Sequence, residues 1–333
     1  MNAAYLFRLL CLSLASFFLV NGVAGAATTM FSNAAIRIAE TMQPRSAARF
    51  LFILRMLPSV LGLSVVLGLC IPSYLWLEPP TASERVGFAC LLLTGLAVIA
   101  CFSSLTRTAR AIRASARLRN DWRHSGNDAL LTEKQSQAVT NEKALVVHKE
   151  EPLLALSGVF RPHMVISRGV LTELSKEQLD VAVRHEIAHR DSRDNLKRLF
   201  LVLSPEFFPF ANGFASLEKM WARFSEWAAD DEAVQGDSER ALALAAALLR
   251  VARMGGLPRL SILHTSLLPG DHDLSARVDR LLESLPLEKV PHTRSRALIR
   301  GLCLAACALM LAGVPAALSS VHRLLELFLS GAS

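Results

Sequence analysis

Four stretches of this chain carry no Asp, Glu, Lys or Arg: Leu9–Ile36, Met56–Leu77, Val86–Thr106 and Gly301–Val321. A helix needs about 20 apolar residues to cross the hydrocarbon core of a bilayer, and each stretch is long enough. Between Arg107 and Arg300 charges recur throughout, and charge-free runs such as Phe207–Leu217 are too short to span. The chain therefore divides into 1–106, three transmembrane helices with short loops; 107–142, a basic juxtamembrane linker; 143–297, a polar domain; 298–321, a fourth transmembrane helix; and 322–333, a short tail. Overall composition agrees, with 52% hydrophobic and 20% charged residues. That balance excludes a disordered chain and argues against a wholly soluble one.

Loop charges set the orientation. Arg37, Arg45, Arg49 and Arg55 lie between or just inside the first two spans, whereas Arg85 alone lies between the second and third, beside Glu78 and Glu84. Six arginines from Arg107 to Arg123 follow the third span, and Lys289, Arg294, Arg296 and Arg300 precede the fourth. This places the first loop and the polar domain inside a bacterial-type inner membrane, with the N-terminus and the tail outside. Leu9–Val20 followed by Ala24-Gly25-Ala26 also resembles a cleaved signal peptide, but cleavage would put the arginine-rich segment on the wrong side. The Arg107–Arg123 spacing forms one helical face, read as a lipid-headgroup contact rather than a nucleic-acid site. All six cysteines lie in the apolar stretches without a C-x-x-C, so they read as packing residues. The near-absence of ionisable groups in the spans argues against a conduction path.

The polar domain reads as α+β and mainly helical. Lys143–Lys149, Leu153–Val159 and Met164–Ser167 are β-rich runs forming a small sheet of about three strands. Ser175 and Gln178 make a capping box opening a helix predicted from Lys176 to Leu203, stopped by Pro205. Further helices fit Leu217–Val234, Ser238–Met254 and Leu274–Leu285. The apolar Leu199–Phe214 segment either dips into the inner leaflet, packs on the spans, or forms a plain buried turn.

On the capped helix stands His185-Glu186-Ile187-Ala188-His189, an H-E-x-x-H. Residues i and i+4 share a helical face, so both imidazoles can bind one metal while Glu186 reaches its water. Catalytic zinc takes three protein ligands and keeps one position open. Glu226, with Asp230 four residues on, supplies a third candidate ligand and a carboxylate to orient an imidazole. Asp194, five residues after His189, either plays a similar bracing part or pairs with Arg190 or Arg198. His148, His163, His264, His292, His124 and His322 lack ligand spacing.

These residues carry a resemblance. His185-Glu186-x-x-His189-x-x-x-x-Asp194, then Glu226-x-x-Ala229-Asp230, is similar to the membrane-embedded gluzincin zinc metallopeptidases. Leu156–Ser167 resembles the strand–proline–strand before the zinc helix of the BlaR-type antirepressor family, which is related to the HtpX and CAAX-prenyl-protease family. Asp271-His272-Asp273, Arg277 and Leu281-Leu282 loosely resemble a segment of the latter, though without its proline, so His272 and Arg277 receive no role. The resemblance implies a zincin-like domain, one Zn2+ held by His185, His189 and Glu226, and Glu186 as catalytic base. It also implies a protein substrate, with a transcriptional repressor as one candidate. Substrate is expected along the edge at Gly158, Val159 and Phe160. No penicillin-binding domain is expected after the last span, so a signal would enter through a partner, the outer loops or the spans. Quality-control proteolysis of membrane proteins and a non-catalytic zinc-binding scaffold are the alternatives, and the intact Glu186 weighs against the scaffold.

Overall fold

A computed structural model describes residues 3–77, 86–130, 143–207, 213–255, 265–266 and 274–283. Three helical stretches among them are long and apolar enough to cross a membrane: Ala3–Met30, Pro44–Trp76 and Phe88–His124. The expected fourth span at 298–321 and His272 lie outside the described residues. The first apolar stretch is two helices, not one. α1 (Ala3–Met30) ends at Phe31, and α2 (Ser32–Glu40) follows as a separate amphipathic helix. The second span is α3 (Pro44–Val65), a π-helical turn at Val66–Cys70 and α4 (Ile71–Leu77). α5 (Phe88–His124) runs without a break from the third span through the whole arginine-rich segment.

That continuity matters because the far end of α5 is part of the polar domain. Five strands, β1 (Gly126–Leu130), β2 (Lys143–Val147), β3 (Leu154–Ser157), β4 (His163–Ser167) and β5 (Thr265–Ser266), form one sheet in the order β1-β2-β4-β3-β5. The three β-rich runs of the sequence are its centre. β2 and β4 are parallel, and the other pairs are antiparallel. One face carries Leu145, Val147, Leu153, Ala155 and Val165 against Trp122 and Leu118 of α5. The other carries Ala144, Leu154, Leu156, Met164 and Ile166 against the domain helices. Covered on both faces, these strands read as continuous apolar runs without polar alternation.

α6 (Arg168–Glu173) leads to α7 (Lys176–Ser192), whose start is the predicted capping box: Gln178 N donates to Ser175 Oγ, and Ser175 N donates to Gln178 Oε1. The predicted continuous helix to Leu203 is instead broken at Arg193, which takes a left-handed conformation with φ 55°. α8 (Asp194–Leu203) restarts in a new direction. A non-glycine residue there is disfavoured, so the surroundings must hold it. Asn195 does so, donating from Nδ2 to the carbonyls of Leu156 (3.2 Å) and Gly158 (2.8 Å). α9 (Gly213–Val234) lies against both α3 and α7. Gly213 is required where α9 starts: a Cβ would sit 2.9 Å from the Thr29 Cα of α1. α10 (Ser238–Arg253), capped by Asp237, and α11 (Leu274–Glu283) complete the domain core. Phe207 packs edge-on to Phe17 and Phe18 of α1, so the end of the apolar 199–207 segment rests on the spans.

Candidate metal centre

α7 and α9 pack against each other and bury several charged side chains between them. There His185, Glu186 and His189 of α7 meet Glu226 and Asp230 of α9, all buried. The two Nε2 atoms are 3.2 Å apart, and each lies 3.5 Å from an oxygen of Glu226. Two nitrogens bound to one tetrahedral zinc at 2.0–2.1 Å lie about 3.3 Å apart, so the triangle has the size of a shared cation site. Among the described residues it is the one His/Cys/Asp/Glu cluster of that kind. No described residue donates a hydrogen bond to either carboxylate oxygen of Glu226 or of Glu186. Buried acids without donors are costly; Glu226 has cationic neighbours in Arg277 and the two histidines, and a divalent cation would bind its free oxygens together with both rings. The donor set fits zinc: two neutral imidazoles and one carboxylate.

The outer nitrogens are both engaged. His185 Nδ1 is 2.9 Å from Asp230 Oδ1, and His189 Nδ1 is 2.8 Å from Asp194 Oδ2. Each contact favours the Nδ1–H form and turns Nε2 inward. The break at Arg193 makes the second contact possible, because a continuous helix would carry Asp194 round to another face. Asp194 also accepts from Ser225 Oγ of α9 at 2.7 Å and pairs with Lys197 at 2.8 Å, rather than with Arg190 or Arg198. Asp230 is clamped by Arg277 of α11, with Nε 2.9 Å from Oδ2 and Nη2 2.6 Å from Oδ1. Arg277 Nη1 is 3.4 Å from Glu226 Oε2. Sequence reasoning leaves Arg277 without a role and does not single out Ser225, Lys197 or Asn195. Adjacency of Ser225 to Glu226 and the i,i+3 step from Asp194 to Lys197 are the only local signals.

Burial and charge pull the protons in opposite directions. Burial pushes Glu186 up to about 7, outweighing the nearby histidines. Burial also opposes a charged His189, but Glu226 and Asp194 raise it to about 10. Burial works against ionised Glu226 as well, and His189, His185 and Arg277 together hold it well below the usual carboxylate range. Asp194 and Asp230 are drawn down to about 2 despite burial, chiefly by His189 and by Arg277 respectively. A metal competes with the His189 proton for the same lone pair.

Gly158, Val159 and Phe160 do not form a strand edge. They lie in the turn between β3 and β4, where Gly158 takes φ 110° and Phe160 is 81% exposed. β4 is paired on both sides, and β5 meets β3 at Ala155 and Leu156. The turn instead lines one wall of a cleft of about 360 Å³, whose other wall is His189, Arg190, Arg193 and Asp194. Glu186, by contrast, is fully enclosed.

A buried His–His–Glu triangle between two packed helices, in a chain with three helices long and apolar enough to cross a membrane, is the arrangement expected of a membrane-associated metallopeptidase. The family model described as BlaR1 peptidase M56 matches residues 76–281, and the chain belongs to that family. The matched region runs from the end of the second span through α11 and contains both the triangle and Arg277. Among curated proteins no match is found.

Proposed function

We propose that this protein is a membrane-bound zinc endopeptidase that cuts a cytoplasmic or membrane-proximal protein, in an antirepressor-like regulatory role. The observation that carries the reading is the Nε2–Nε2–carboxylate triangle beside a buried glutamate with no hydrogen-bond donor. His185, His189 and Glu226 hold the zinc, which when bound supplies Lewis-acid polarisation of the scissile carbonyl and acidifies water. Asp230 and Asp194 orient the two imidazoles. Glu186 takes the proton of the attacking water and passes it to the leaving amine nitrogen. Arg277 balances the charge of Asp230 and Glu226. The cleft beside the β3–β4 turn receives part of the substrate chain.

The orientation rests on geometry as well as charge. The Arg37–Arg55 segment packs on α9, and α5 delivers Arg107–Arg123 to the sheet. Both arginine groups are therefore at the peptidase end of the spans, which the positive-inside tendency places in the cytoplasm. α1 is retained as a span, since it packs on both α3 and α5.

The test compares proteomes of cells carrying the wild-type chain and Glu186→Gln. The variant is expected to keep its zinc and to lose cleavage of a specific protein by roughly 10²–10⁴-fold, the usual contribution of a general base. Cleavage undiminished in the variant would overturn the reading. A repressor among the lost cleavages supports the antirepressor role, and a spread of damaged membrane proteins argues for quality control instead.

A further inference from the structure

Arg55 stands where the charge-free stretch of the second span begins, and its side chain is buried. An arginine at such a depth is costly unless every donor is used. Here Nε donates to Glu218 Oε1 (2.7 Å), Nη1 to Ser204 Oγ (3.2 Å) and Nη2 to Glu206 Oε1 (3.0 Å). The guanidinium also lies 4.3 Å from the centre of the Phe214 ring. One acceptor is on α9, which carries Glu226 and Asp230, and the other two directly follow α8, which carries Asp194. Glu218 is on α9, two turns before Glu226, about 12 Å along the axis. Ser204 directly follows α8, which begins with Asp194.

The other spans reach the same knot. Asn21 of α1 donates to Ser59 of α3 (3.2 Å), and Ser59 and Ser204 share a hydrogen bond of 2.6 Å. From α5, Ser104 donates to the Leu203 carbonyl and Arg107 pairs with Glu206 at 3.4 Å. Beside the knot, Ala47, Ala48 and Leu51 of α3 pack on Leu217, Trp221 and Phe224 of α9. All three described spans thus grip the ends of α8 and α9 that point away from the metal centre.

We propose that Arg55 is a positioning residue for the metal centre. By bonding Glu218 and Ser204 together it fixes the helix bearing Glu226 against the helix bearing Asp194. A rearrangement of the spans is then felt as a change in the ligand triangle. This rests on the metal reading above.

The experiment uses the full chain in detergent, titrated with Co(II) and followed by its visible absorption, with zinc affinity measured by chelator competition. Arg55→Gln and the near-isosteric Glu218→Gln are expected to shift the Co(II) bands and weaken zinc binding about tenfold, as loss of an outer partner does. Arg55→Lys, which keeps the charge with a different reach, recovers part of the loss. Arg45→Gln removes an exposed pair with Glu232 between the same two helices and leaves the spectrum unchanged. Unaltered bands and affinity in both Arg55→Gln and Glu218→Gln overturn the proposal while the metal reading stands. If Arg55→Gln does not fold, Glu218→Gln decides by the same readout. Co(II) uptake that survives His185→Ala unaltered overturns the metal reading and this proposal with it.

Discussion

Two places in this protein bury a knot of charge, and they are finished differently. Around Arg55 every guanidinium nitrogen has an acceptor, supplied by Glu218, Ser204 and Glu206. Around His185 and His189 each outer nitrogen lies beside a carboxylate, Asp230 at 2.9 Å and Asp194 at 2.8 Å, yet the four carboxylate oxygens of Glu186 and Glu226 accept no hydrogen bond. A satisfied buried network rigidifies; a network left open at its centre is prepared for something else. The same helix, α9, joins the two, with Glu218 in one and Glu226 in the other.

Substitutions can break or sharpen that contrast. The largest effect is expected at Arg277, the cation that compensates Asp230 and Glu226. Arg277→Met should destabilise the chelator-treated protein by about 3–5 kcal/mol, the usual cost of stranding one side of a buried pair. Denaturant unfolding in detergent measures it, and a loss under about 1 kcal/mol would mean the acids are compensated elsewhere. Next comes Glu226→Ala, expected to weaken zinc binding by about a hundredfold or more, beyond what removal of an outer partner does. Chelator competition reads it; near-wild-type affinity would place the third ligand on another residue. Asn195→Ala leaves the buried Leu156 and Gly158 carbonyls without that donor and should cost about 1–3 kcal/mol, freeing the Arg193 turn and loosening Asp194. The smallest change belongs to Arg45→Gln, whose pair with Glu232 is about half exposed on both sides. Such pairs contribute about 0–1 kcal/mol, and a larger loss would make the α3–α9 seam depend on surface charge rather than on its apolar core.

Much of this was visible along the chain because it is local. The capping box needs only Ser175 and Gln178, three residues apart, and the H-E-x-x-H needs only helical periodicity. Strands 143–147, 154–157 and 163–167 were legible as apolar runs between breaks. Other features depend on partners far along the sequence. The break at Arg193 has no glycine or proline to announce it, because it is held by Asn195 reaching back to Leu156 and Gly158. The turn at Gly158–Phe160 looked like strand continuation, since Val159 and Phe160 favour strands locally. Arg55 reads as a loop charge, and Arg277 as part of a loosely matching segment without a role, until α9 is placed beside them.

The sequence by itself determined which segments are long and apolar enough to cross a bilayer, which helix carries the two imidazoles, and the chemistry those residue types allow, because hydropathy and helical spacing are properties of neighbours in the chain. Tertiary structure alone decided that α9 brings Glu226 to 3.5 Å from both rings, that Asp194 and Asp230 occupy their outer nitrogens, and that a span arginine is bonded to the same helices. Apart from Asp194 and His189, five positions apart across the break at Arg193, those are distances between residues tens to hundreds of positions apart, set by how apolar faces pack, and nothing in a single segment encodes them.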